Sequence, residues 1–218
     1  MTAKVIPFVR KLVLRDFQEA PISEFENDPS LAPIVQLPPG AGKNEMIVGI
    51  AEREVKRGGL VLVLVRGVIL AHNVSKRFKK YKIPHGFIQG SNRTGLDQKI
   101  IVCSIDTLIN IPMKDRPKAT LVVIDEVHQA PAPEYARVLK AYDCRKFGLT
   151  ATPYRKEGFL DIGFNVIKRP AAFMELVERG YLAWISIHKH KKMSLNPINS
   201  AFPDLLIRGQ FAPATMLA

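Results

Sequence analysis

Short apolar, β-branched runs alternate with amphipathic stretches along the chain from residue 34 onward. The runs IVQL (34–37), LVLVLV (60–65), GFIQ (86–89), KIIVCS (99–104), LVVID (121–125) and KFGLT (146–150) read as strands. LVLVLV is apolar at every position, the signature of a strand buried on both faces. Helical spacing fills the intervals. From Lys43 the positions Met46, Ile47, Ile50, Ala51 and Val55 share one face, and the pattern stops at Gly58-Gly59. Leu70, Val74 and Phe78 recur every four residues with Lys76, Arg77, Lys79 and Lys80 between them, giving one helix an apolar and a basic face. Further helices are predicted near 105–110 and 133–142, a last one over AAFMELVERG (171–180), and one more strand at WISIH (184–188). The alternation predicts an α/β domain with a mostly parallel sheet and helices on both faces. Beyond Lys192 the periodicity disappears, so a domain over residues 1–190 and an irregular tail or linker over 191–218 are expected.

At 218 residues the chain suffices for one well-buried domain and is short for two. Lys and Arg outnumber Asp and Glu by 32 to 20, which favours a polyanionic partner, nucleic acid ahead of a membrane surface. The two cysteines, Cys103 and Cys144, are too few and too isolated for a zinc set or a disulfide framework and read as reduced packing residues. The N-terminal stretch has neither the apolar core nor the cleavage site of a secretory signal, and the most apolar run, Leu60 to Leu70, falls well short of a bilayer span. A cytoplasmic location without membrane contact is expected.

Candidate chemistry begins at QLPPGAGKNEM (36–46), a glycine loop between a buried strand and a helix. Such a loop gathers backbone N–H groups and the positive end of a helix dipole at one point, which suits a polyphosphate, and Lys43 adds a full charge. Glycine-rich turns are also common as plain structure. The second element is LVVIDEVH (121–128), whose strand end presents Asp125 and Glu126 side by side. A parallel strand delivers its C-terminal residues to the ligand crevice. There Asp125 would hold magnesium, through water, and Glu126 would polarise the attacking water. The plainer reading makes Asp125 a turn cap and Glu126 a solvated acid.

In spacing and order, LRDFQ (14–18), PPGAGK (38–43), GFIQGSN (86–92), VCSIDTL (102–108), VVIDEVH (122–128), FGLTATPYR (147–155) and ELVERGYL (175–182) resemble the first motor domain of superfamily 2 helicases of the DExH type, as in bacterial and phage DEAD/DEAH-box proteins. The resemblance implies a RecA-like P-loop NTPase domain that binds ATP and Mg2+ and helps move nucleic acid, DNA ahead of RNA. It implies that Arg15 and Gln18 read the adenine edge, that Pro39, Gly40, Ala41, Gly42, Lys43 and Asn44 surround the phosphates, and that Lys43, Asp125 and Glu126 serve hydrolysis. His128, Thr150, Ala151 and Thr152 would couple the nucleotide site to movement. Arg66, Gly90, Ser91, Asn92 and Thr107 would meet nucleic acid, chiefly through phosphate contacts that carry no sequence information.

Three features depart from the family pattern. Asn44 stands where a serine or threonine hydroxyl holds magnesium, so turnover is expected to suffer more than nucleotide binding. RGVILAHN (66–73) lacks the usual charged pair, for which the basic helix could compensate, although a solvated helix face accounts for it equally. No second RecA-like domain with its arginines is recognisable after residue 190, so one from another chain is a candidate partner. The rival reading is a catalytically impaired module that binds nucleic acid or a partner protein. A third, small-molecule chemistry on a parallel sheet, fits the positive charge less well.

Overall fold

The central strands sit where they do because their side chains are apolar on both faces. The computed structural model describes residues 11–130, 132–153 and 162–184. In chain order its helices and strands are α1 (Asp16–Asn27), β1 (Pro33–Gln36), α2 (Lys43–Lys56), β2 (Val61–Val65), α3 (Val68–Lys80), β3 (Gly86–Gln89), β4 (Asn92–Thr94), β5 (Ile100–Ser104), α4 (Ile105–Leu108), β6 (Leu121–Asp125), α5 (Pro133–Lys140), β7 (Arg145–Thr150), β8 (Val166–Lys168) and α6 (Phe173–Glu178). The strands form one sheet in the order β4-β3-β5-β2-β6-β7-β1-β8. Every pairing is parallel except that of β4 with β3. All five residues of β2, β5 and β6 are buried, as strands covered on both faces require.

Alternation along the strands divides the core in two. Val61, Val63 and Val65 face one side, where they meet Met46, Ile47 and Ala51 of α2, Phe78 of α3, Phe25 of α1 and Leu176 of α6. Leu62 and Leu64 face the other, against Ile105 and Leu108 of α4 and Tyr135, Val138 and Leu139 of α5. In β7, Gly148 lets a neighbouring turn approach closely, because a Cβ there would lie 3.1 Å from both Val127 methyl groups. These elements belong to one compact unit, Met1–Ala183. No described helix is long and apolar enough to cross a membrane. Cys103 is buried, Cys144 partly so, and both are free thiols.

The expected strands and helices are found within a residue or two at the strand ends, and the helices near 105–110, 133–142 and 171–180 stop short, at Leu108, Lys140 and Glu178. Leu37 leaves the strand and begins the glycine loop, although its N–H still donates to the Thr150 carbonyl at 3.0 Å. Three elements have no counterpart in the periodicity: α1, which runs through Pro21, and the edge strands β4 and β8. The expected strand beyond Trp184, the tail over 191–218, and Tyr154 and Arg155 lie outside the described residues.

Phe147 is fully buried in β7 and meets Phe25 of α1 edge-on, with ring centroids 5.2 Å apart. Phe147→Ala therefore leaves a cavity at the joint between α1 and the sheet. Urea unfolding is expected to show a loss of about 3–5 kcal/mol.

Candidate functional site

Three adjacent strands, β6, β7 and β1, deliver their C-terminal ends to one stretch of rim. Their register pairs Asp125 with Leu149 and Gln36 with Thr150. The acidic pair, the threonine segment and the glycine loop therefore emerge side by side.

The loop leaves β1 and turns into α2 through Gly40 and Gly42, both with positive φ, +81° and +83°. A side chain at Gly42 would be strained and would also collide with Gln18, whose Nε2 would lie 2.4 Å from the added Cβ. The N–H groups of Gly40, Gly42, Lys43 and Asn44 have no hydrogen-bond partner among the described residues. Unpartnered amides converging at a helix start form a cradle for an anion. Pro39 has no N–H to add and is exposed, whereas Ala41 is buried beneath the loop. Lys43 Nζ rests on the carbonyls of Leu37 and Pro38 at 3.2 and 3.4 Å. Burial depresses its pKa, and the charges of Glu126 and Asp125 oppose that shift. The lysine and both acids thus share one electrostatic environment.

Asp125 is buried, with 7% of its surface exposed. Burial first, then the negative charge of Glu126, raises its pKa to about 6, against the N–H of Glu126 and the charge of Lys43. Glu126 donates that N–H to Asp125 Oδ1 at 3.0 Å. Its own backbone is left-handed, φ +51°, which turns the chain sharply after the strand and starts a 3₁₀ turn over Val127–Gln129. The turn brings His128 back over the sheet: Nδ1 lies 2.9 Å from Thr150 Oγ1 and 3.2 Å from Glu126 Oε2. Thr150, fully buried, donates to Glu126 Oε2 at 3.4 Å and accepts the N–H of Thr152 at 3.1 Å. Ala151 meets the same corner through its carbonyl, which accepts from Gln36 Nε2 at 3.4 Å.

Gln18 is buried, although it is polar and lies on a helix. Its Nε2 donates to Ala41 O at 2.8 Å and to Gly42 O at 3.3 Å, and its Oε1 accepts the Arg15 N–H at 2.9 Å. Gln18 therefore ties α1 to the loop. The Arg15 guanidinium stacks over the Tyr181 ring, 4.2 Å from its centroid. Arg179 lies over the other aromatic contacts of this corner, 5.0 Å from Tyr181 and 5.6 Å from Phe17, and pairs with Asp16 at 2.5 Å. Sequence reasoning did not single out Tyr181 or Arg179 as site residues; the match of ELVERGYL was the available signal. Leu182, next in that stretch, packs so near the loop that a Cβ on Gly40 would lie 3.1 Å from it.

The other half of the rim is formed by β3, β5 and β2. There Gly90 donates its N–H to Thr107 Oγ1 at 2.7 Å, and Gly67 donates to Asp106 Oδ2 at 3.2 Å. The first turn of α4 thereby holds the loops after β3 and β2. Ser91 and Asn92 are exposed, and Asn92 opens β4 rather than staying in a turn. Arg66 is exposed and donates to Gln129 at 3.0 Å, a contact across the boundary between the two halves of the rim. The segment after Arg66 is the start of α3, with Val68 and Ile69 exposed.

Among the described residues no cluster of three His, Cys, Asp or Glu side chains could hold a metal. That fits an ion such as magnesium, which is held by one or two carboxylates together with water and phosphate oxygens. Asp125 is the residue that would hold it. Asn44, at the start of α2, makes no side-chain hydrogen bond among the described residues and lines a cleft with α3 instead.

A family model described as "Type III restriction enzyme, res subunit" matches residues 11–155. A "51.5 kDa protein" of a Lactococcus phage is 29% identical over 126 residues, 57% of this chain and 25% of that protein. A "Putative DNA 3'-5' helicase Rad25" of Haloarcula marismortui is 26% identical over 193 residues, 84% of this chain and 30% of that protein. The chain thus spans a minor part of both relatives. Among solved structures, the UvsW helicase from bacteriophage T4 matches with a TM-score of 0.60 at 18% identity, covering 72% of this chain and 60% of that one. The Pyrococcus furiosus Hef helicase domain gives 0.62 at 19%, over 76% and 39%. The Sulfolobus solfataricus SWI2/SNF2 ATPase core, solved in complex with dsDNA, gives 0.60 at 20%, over 73% and 36%. These structures establish the fold.

The raised pKa of Asp125 has a consequence for stability. Between about pH 4 and 6 the folded state binds more protons at this carboxyl than the unfolded chain, so its contribution to stability falls as pH rises through that window and is flat above it. Asp125→Asn removes the buried charge. At about pH 7.5 the variant is expected to be more stable by about 2–3 kcal/mol, a gap that closes as pH falls from about 6 to about 4 in denaturant titrations.

Proposed function

Because the chain belongs to the family described as the res subunit of type III restriction enzymes, a membership that makes it the N-terminal RecA-like, ATP-binding domain of a superfamily 2 helicase, we propose that it couples ATP hydrolysis to movement of a DNA strand. The observation that carries this reading is the common environment of Lys43, Asp125 and Glu126 beside a loop with unpartnered amides. In this reading residues 1–190 are the first motor domain and 191–218 are an irregular tail or linker. A second RecA-like domain, from another chain or from the rest of a longer protein, completes the motor with arginines.

ATP with Mg2+ supplies the transferable phosphoryl group and a divalent charge opposite the acids. The amides of Gly40, Gly42, Lys43 and Asn44 bind phosphate oxygens, and Lys43 leaves its two loop carbonyls to meet the outer phosphates. Asp125 would hold the metal, whose charge would favour its ionised form. Glu126 orients a water and takes its proton, while Thr150 and His128 fix the carboxylate that does so. The Thr150 hydroxyl touches both Glu126 and the Thr152 N–H, which supports a coupling role for the two threonines. Arg15 and Gln18 flank the base side of the loop.

One observation favours the second reading, a module that binds nucleic acid with little turnover: Asn44 lines the α3 cleft and makes no hydrogen bond near Asp125. Two measurements on the full chain separate the readings. Lys43→Ala is expected to abolish binding of a fluorescent ATP analogue, whereas Glu126→Gln retains binding and loses about a hundredfold or more in hydrolysis. Asn44→Thr is expected to raise Mg2+-dependent, DNA-stimulated hydrolysis by about tenfold to a hundredfold. A hydrolysis rate indifferent to all three changes and to added DNA would leave only the binding module.

A further inference from the structure

On the basic face of α3, Asn73, Lys76 and Lys80 are exposed and Arg77 is half-buried. Asn73, Lys76, Arg77 and Lys80 fall at positions i, i+3, i+4 and i+7 of the helix and so form a single stripe. With Asn44 of α2 on the opposite side they line a cleft of about 420 Å3. Every lining side chain ends in a nitrogen donor: three cations and two amides. The helix itself, VILAHNVSKRFKK, contains no acid that could neutralise the stripe. One carboxylate reaches it from outside, Glu45, which pairs with Arg77 at 3.0 Å. Lys76 makes no ion pair among the described residues, and Lys80 lies 5.1 Å from the Tyr81 ring centroid.

Like charges lined up along one shallow cleft reinforce one another's potential and draw an anion to it. No apolar residue is among the lining side chains, which argues against a protein partner, whose interface would need an apolar centre. An extended string of phosphates fits a stripe that rises about 1.5 Å per residue over seven residues. The stripe also starts at Asn73, where the candidate nucleic-acid segment from Arg66 ends. We propose that this cleft is a track for the phosphate backbone of single-stranded nucleic acid, which leaves the rim along α3 and is gripped by Lys76, Lys80 and, in competition with Glu45, Arg77.

The proposal rests on the nucleic-acid reading above, and its test separates the two. Binding of a fluorescein-labelled oligo-dT to the full chain is followed by anisotropy between about 50 and 200 mM salt. Lys76→Ala combined with Lys80→Ala is expected to weaken binding about tenfold and to flatten the log–log salt dependence by about 1.4, or about 0.7 per lost phosphate contact. Binding of a fluorescent ATP analogue stays unchanged. Glu45→Gln, which frees Arg77, is expected to act in the opposite direction and tighten binding. Wild-type protein that binds oligo-dT with the affinity and salt slope of both variants overturns the track and leaves the motor reading standing. Loss of ATP-analogue binding with unaltered DNA binding overturns it too, assigning the cleft to the nucleotide. Wild-type protein that does not bind oligo-dT removes both. An acidic peptide that outcompetes oligo-dT at equal charge would assign the cleft to a protein.

Discussion

The parallel register of β6, β7 and β1 is the constraint on which the site depends. Asp125 lies opposite Leu149, and Gln36 opposite Thr150, so three unrelated loops leave the sheet at the same height. A slip of one residue would turn each strand's side chains to the other face. Asp125 would then point away from Lys43, and Thr150 away from His128. The all-buried strands β2 and β6 hold this register from the centre, and the close approach of Val127 to Gly148 holds the turn that carries Glu126.

That register brings together groups that are mutually costly without a ligand. Lys43 is desolvated, Asp125 is pushed towards protonation, and Glu126 adds a like charge beside it. Four loop amides have no partner among the described residues. Each of these costs falls when a phosphate anion meets the amides and lysine and a cation meets the carboxylate. A species that binds the folded state alone stabilises it by mass action. In the proposed reading the same electrostatics that cost the fold stability favour the nucleotide.

Legibility in the sequence followed the range of the interaction. The central strands were readable because five consecutive apolar residues need no partner to be recognised, and the glycine loop and acid pair because their residues are contiguous. Helix α1 was not, since Pro21 interrupts a pattern that Phe17, Ile22 and Phe25 otherwise carry. The edge strands β4 and β8 are three residues each with little buried surface, so their identity comes from pairing and not from pattern. The corner of Arg15, Tyr181, Arg179 and Asp16 joins residues far apart in the chain, and only the fold brings them together. The burial of Gln18 beneath the loop has the same origin.

The two halves of the rim meet between β2 and β6, and one polar contact spans that line. Arg66 follows β2 and reaches Gln129, the residue after His128. His128 in turn touches Glu126 and Thr150. In the proposed reading, a phosphate at the Arg66 guanidinium would compete with Gln129 for it. The contact is exposed, so its own energy is small. Asn44 shows a comparable choice on the other flank. Its amide is one bond longer than a hydroxyl side chain, and it faces the α3 cleft among cations that it cannot neutralise. A residue that serves a metal must point inward, and one that serves a backbone phosphate must point outward. At this position the same side chain cannot do both, so in the proposed reading one residue at the start of α2 links a weakened metal site to the basic track.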